Sequence, residues 1–89
     1  MAKAEISWKR VTADGQKLQV YVRHTGGKYR FFSRERRYER WEPLENPPLE
    51  DWMLLLDAVQ RRIQRRLLRP EEEDRVKGCI RQQFPDESI

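Results

Sequence analysis

The sequence predicts an α+β domain, an antiparallel three- to four-stranded β-meander followed by a long amphipathic helix and a shorter C-terminal helix. Three observations carry that expectation. Three runs of alternating apolar and polar residues in the first half are separated by Asp14-Gly15 and Gly26-Gly27, pairs that favour tight hairpin turns. Pro43, Pro47 and Pro48 then interrupt any helix interior or central strand. Beyond them Trp52, Leu56, Val59, Ile63 and Leu67 recur at spacings of four, three, four and four, the stripe of a helix turning about 100° per residue.

In chain order, residues 1–4 read as a frayed end. Residues 5–11 read as a first strand, with Ile6 and Trp8 on one face and Ser7 and Lys9 on the other. Residues 17–24 form the clearest strand: Leu18, Val20 and Val22 alternate with Gln19, Tyr21 and Arg23. Residues 28–33 form a third, in which Tyr29 and Phe31 share one face and Arg30 and Phe32 the other. Residues 34–37 are a turn or bulge, and residues 37–41 a short fourth strand. Residues 42–48 are a linker that also starts the main helix, with Asn46 or Pro47 at the cap and Pro48 in the first turn, where a missing N–H is harmless.

The main helix is expected over residues 49–69. Leu49, Met53, Leu55 and Leu68 widen its stripe, so it is the centre of the core. Glu50 and Asp51 suit the positive end of its dipole, and Arg65, Arg66 and Arg69 the negative end. A second helix follows over residues 70–84, opened by Pro70 and a run of four acids and striped by Val76, Ile80 and Phe84. With 37% hydrophobic residues against 38% charged, 89 residues make one domain with a thin core. A homodimer would enlarge that core.

Charge alternates in blocks. Net charge is +7 over residues 1–40, −5 over 41–60, +5 over 61–69 and −3 over 70–89, for +4 in all. Fourteen of the 19 cationic residues are Arg, whose planar guanidinium suits phosphate and stacking contacts.

Catalytic and cofactor chemistry finds little support. His24 and Cys79 are the only His and Cys, too few for a zinc site or a disulfide framework. Ser7, Ser33 and Ser88 lie in no nucleophile elbow, and Gly26-Gly27 has neither phosphate-loop spacing. Glu71, Glu72, Glu73 and Asp74 point in different directions on a helix start and complement its dipole. No run resembles a signal peptide or approaches the roughly 18–20 apolar residues of a membrane span. The expectation is a cytoplasmic, non-enzymatic protein without cofactor, metal, membrane or small-molecule substrate.

The suggestive constellation lies at residues 21–41, where Arg and Lys interleave with aromatic rings. A sheet face of that kind holds nucleic acid, DNA or RNA, by stacking rings on bases and neutralising phosphates. Tyr21, Arg23, Tyr29, Arg30, Arg37 and Tyr38 are the candidate contacts. Arg62, Arg66 and Arg69 form a second candidate, a phosphate- or partner-binding ridge on the main helix. The alternative to nucleic acid is a regulatory module that self-associates or binds a protein partner through the apolar helix start, Trp52, Met53, Leu54, Leu55 and Leu56. A basic meander followed by a Trp-containing helix resembles, over roughly residues 5–69, the general layout of some sheet-based nucleic-acid-binding domains. No diagnostic motif accompanies that likeness, and no residue role is taken from it.

Overall fold

Strict alternation in Lys17–Thr25 makes it a strand with two unlike faces, and its neighbours pair to it on either side. The computed structural model describes residues 6–25, 28–36 and 39–87. The expected frayed start and the Gly26-Gly27 turn lie outside them. The order is β1 (Ile6–Val11), β2 (Lys17–Thr25), β3 (Lys28–Arg34), β4 (Glu42–Pro43), α1 (Leu49–Gln64) and α2 (Glu71–Gln83). This is the α+β arrangement expected. It divides into two compact units, Met1–Asn46 and Pro47–Ile89.

In the first unit the four strands form one antiparallel sheet in sequential order. Around the first turn the Gly15 N–H donates to the Thr12 carbonyl (2.9 Å) and the Thr12 N–H to the Gln16 carbonyl (2.8 Å). Gly15 sits at φ 83°, a left-handed conformation that costs glycine no steric penalty. The register sets Ile6 and Phe31 on either side of Val22, and Trp8 and Ser33 on either side of Val20. Ile6, Val20, Val22 and Phe31 are all buried, so this is the core face. Trp8 meets Phe31 edge-on, with centroids 6.3 Å apart.

The fourth strand is displaced from its expected place. Residues 37 and 38 lie outside the described residues and residues 39–41 supply none of it; the strand is Glu42–Pro43, within the segment read as linker, pairing with Ser33 and Phe32. The Glu39 N–H donates to the Arg36 carbonyl (3.0 Å), and the Arg36 N–H donates to Glu39 Oε1 (3.0 Å). These bonds tie Glu39, expected in the extended segment, back to Arg36. Proline is admissible in β4 because it is a two-residue edge strand, where a missing N–H breaks no central ladder.

In the second unit α1 and α2 pack against each other. Trp52, Leu55, Leu56 and Val59 of α1 and Val76 and Ile80 of α2 are buried. Each such side chain contributes about 1.5–3 kcal/mol when removed from water. Asp57 and Arg61 form an i,i+4 ion pair at 2.8 Å. Between the helices Gln60 Nε2 donates to Glu73 Oε2 (3.0 Å), and Lys77 lies 3.1 Å from that same oxygen. The hydrogen bond from Gln60, then that from Lys77, holds the Glu73 carboxyl below its ordinary value of 4.5. No helix among the described residues is long and apolar enough to cross a membrane.

Helix α1 ends at Gln64, not at residue 69. Arg66 adopts φ 62°. Its N–H donates to the Ile63 carbonyl (2.9 Å), and the Leu67 N–H donates to the Arg62 carbonyl (2.8 Å). That bond pair is a Schellman cap, which ordinarily takes glycine at the left-handed position. Arginine there disguises the stop, because nothing in Arg-Arg-Leu-Leu-Arg opposes a helix before Pro70. Leu67, expected in the stripe, is 58% exposed. Helix α2 runs to Gln83, with Pro70 at its N-cap.

Two outcomes are expected from this unit. Arg66→Gly removes the left-handed strain, partly offset by a freer unfolded chain, and should raise stability by up to about 1 kcal/mol in urea unfolding; a loss would contradict the cap. Because Glu73 is depressed in the folded state, its contribution is present above the unfolded value and fades as pH falls through the lower folded one. Glu73→Gln should therefore flatten the loss of stability below about pH 4.5. An acid limb as steep as in the parent would count against this contact.

Candidate nucleic-acid interface

Opposite the core face, parity puts Ser7, Lys9 and Val11 of β1 together with Lys17, Gln19, Tyr21 and Arg23 of β2. From β3 it adds Lys28, Arg30, Phe32 and Arg34. Every charged side chain that β1, β2 and β3 place here is a cation: Lys9, Lys17, Arg23, Lys28, Arg30 and Arg34. All but the half-buried Arg34 are exposed. The acids among the described residues of this unit sit elsewhere. Asp14 is in the first turn, Glu35, Glu39 and Glu45 in the loops, and Glu42 on the core-face side of β4, opposite Ser33.

Tyr21 and Phe32 are direct cross-strand partners at the middle of this face, with ring centroids 5.7 Å apart. Beyond β3 the chain returns so that the Trp41 ring also meets Tyr21, with centroids 5.3 Å apart. The result is a continuous row, Phe32–Tyr21–Trp41, with all three rings half-buried. The Arg34 guanidinium caps the row, 4.2 Å from the Trp41 ring centroid, within cation–π range. Arg34 Nε donates to Gln19 Oε1 (2.7 Å) and Nη1 to the Glu39 carbonyl (3.4 Å). Neither bond uses Nη2. Beside this stack runs an open groove of about 480 Å³ lined by Ser7, Lys9, Gln19, Arg34 and Trp41 among others.

Two residues further along, Arg23 and Arg30 stand directly opposite each other. Like charges in that position destabilise a sheet by a few tenths to about 1 kcal/mol. A bound anion would convert that cost into a binding contribution.

The expected contacts divide as follows. Tyr21, Arg23 and Arg30 come together on the open face. Tyr29 does not join them: paired with His24, it lies on the core face, stacked on the imidazole at 4.6 Å and 11°. Arg37 and Tyr38 lie outside the described residues. The ridge on the main helix is not built, because Arg62 alone lies on α1 while Arg66 and Arg69 follow its cap. Arg62 is half-buried with partners of its own. Phe32, Arg34, Trp41, Lys9 and Lys17 were not among the expected contacts. A signal for Phe32 was available: Gly26-Gly27, read from the sequence as a two-residue turn, implies a register with Phe32 opposite Tyr21.

No protein family, curated protein or solved structure matches the chain. Among the described residues no group of three or more His, Cys, Asp or Glu is placed to hold a metal ion.

The Arg23–Arg30 opposition has a direct test. Arg30→Glu replaces repulsion by attraction across the strands and should raise stability by about 0.5–1 kcal/mol in urea unfolding. A decrease would mean that the two guanidinium groups do not repel in the folded sheet.

Proposed function

We propose that the chain is a non-enzymatic nucleic-acid-binding domain and that the open face of its sheet is the interface. The observation that carries the reading is the composition of that face. Six cations and no acid from β1, β2 and β3 surround a row of half-exposed rings. A nucleic acid offers what such a surface lacks, regularly spaced phosphates for the cations and flat bases for the rings. Arg23 and Arg30 take phosphates at one side of the row. Lys9 and Arg34 take them at the other.

The competing reading, a module that self-associates or binds a protein through α1, draws on Met53 and Leu54. These are 40% and 37% exposed, whereas their neighbours Trp52, Leu55 and Leu56 are buried. Two partly exposed side chains offer a modest apolar surface by the standard of protein interfaces. The cationic face is the larger unexplained feature.

The test is the salt dependence of binding. Against a labelled oligonucleotide, the parent should show affinity falling steeply with salt. Arg23→Ala with Arg30→Ala should weaken binding and reduce the log–log slope by about one to two, the release expected for two phosphate contacts. An unchanged slope would remove these two residues from the interface, and affinity that disappears for every oligonucleotide at near-physiological salt would refute the function.

A further inference from the structure

We infer that the ligand of this face is single-stranded rather than duplex nucleic acid, gripped by base stacking on the Phe32–Tyr21–Trp41 row. The inference rests on the nucleic-acid reading above and adds the form of the substrate. A duplex hides the flat faces of its bases inside its own stack and presents phosphates and groove edges. Rings at the centre of a duplex-binding face would have no base plane to meet, and charged or hydrogen-bonding side chains would serve better there. Here the centre is aromatic and the charges are displaced to the flanks.

The layout along the strands has the proportions of a single strand. Successive side chains on one face of β2 and β3 are about 6.6 Å apart, two residues at about 3.3 Å each. The Arg23–Arg30 row therefore lies one such step to one side of Tyr21–Phe32, and the Lys9–Gln19–Arg34 row one step to the other. A few unpaired nucleotides crossing the face lay bases on the rings while phosphates on either side reach the two cationic rows. The Arg34 guanidinium, already over the Trp41 ring and held by Gln19, extends the platform, since guanidinium planes also accept bases. The groove beside it supplies the Ser7 hydroxyl and the Gln19 amide to the edge of a stacked base.

Five labelled probes decide the matter at near-physiological salt: a 12-nucleotide single strand as DNA and as RNA, the duplex of each, and an abasic DNA strand of equal length. The two single strands also tell which sugar is preferred. At least one single strand should bind about tenfold or more tightly than its duplex, and the abasic strand should bind about tenfold more weakly than intact single-stranded DNA. Tyr21→Leu and Phe32→Leu, which keep apolar bulk but remove the ring, should weaken binding to the intact strand about tenfold and leave the abasic strand unaffected. A duplex bound as tightly as its single strand, or an abasic strand bound as tightly as an intact one, would overturn the inference while leaving the proposed function standing. Failure of every probe to bind would remove both. The comparison of intact with abasic strand needs only the parent protein, so it decides the question even if a leucine variant does not fold.

Discussion

Everything proposed for this protein depends on the pairing register of β2 with β3. Val22 opposite Phe31 and Tyr21 opposite Phe32 are consecutive steps of one ladder, so the core face and the open face are set by a single alignment. A slip of one residue in either strand would send its buried side chains to the open face and its cations to the buried one. The energies are unequal. Ile6, Val20, Val22 and Phe31 are nearly inaccessible, and each contributes about 1.5–3 kcal/mol by leaving water. Opposition of Arg23 and Arg30 costs about 1 kcal/mol at most. Burial therefore dictates the register, and the crowding of like charges on the open face is its consequence.

That asymmetry is how a thin core supports the proposed binding surface. Because β1, β2 and β3 each contribute one apolar set and one cationic set, the open face acquires its charge without a dedicated loop or cofactor. The loop after β3 adds what the strands cannot. It carries Trp41 to the Tyr21 ring, Arg36 and Glu39 are bonded to each other within it, and β4 anchors its far end beside Ser33 and Phe32. Gln19 then fixes the Arg34 guanidinium, which keeps a charge over the indole instead of letting it range through solvent. Holding the rings and this guanidinium in place beforehand would lower the ordering cost of the proposed binding.

Much of this was legible in the sequence, for identifiable reasons. The three strands announced themselves through period-two alternation, and the two helices through spacings of three and four. Side-chain parity within each strand was equally clear. What was not drawn from the sequence was the relation between strands, so Tyr29 was grouped with Tyr21 although the register of β2 with β3 sets it against His24. Strand β4 was hidden because Pro43 argues against a strand everywhere except at an edge. The end of α1 was hidden because Arg66 occupies a left-handed position without the glycine or asparagine that usually marks it. Trp41 reaches the site through a loop, and no local periodicity reports where a loop returns.

The central claim is that one face of the sheet, and not the other, meets the nucleic acid. Side-chain resonances of arginine test it most directly. In a titration with a short single-stranded oligonucleotide, the Nε–Hε signals of Arg23, Arg30 and Arg34 should shift and saturate together. Those of Arg10, on the core face opposite Leu18, and of Arg62 on α1 should stay in place. Shifts centred on Arg10 or Arg62, or spread evenly over all arginines, would contradict an interface on the open face.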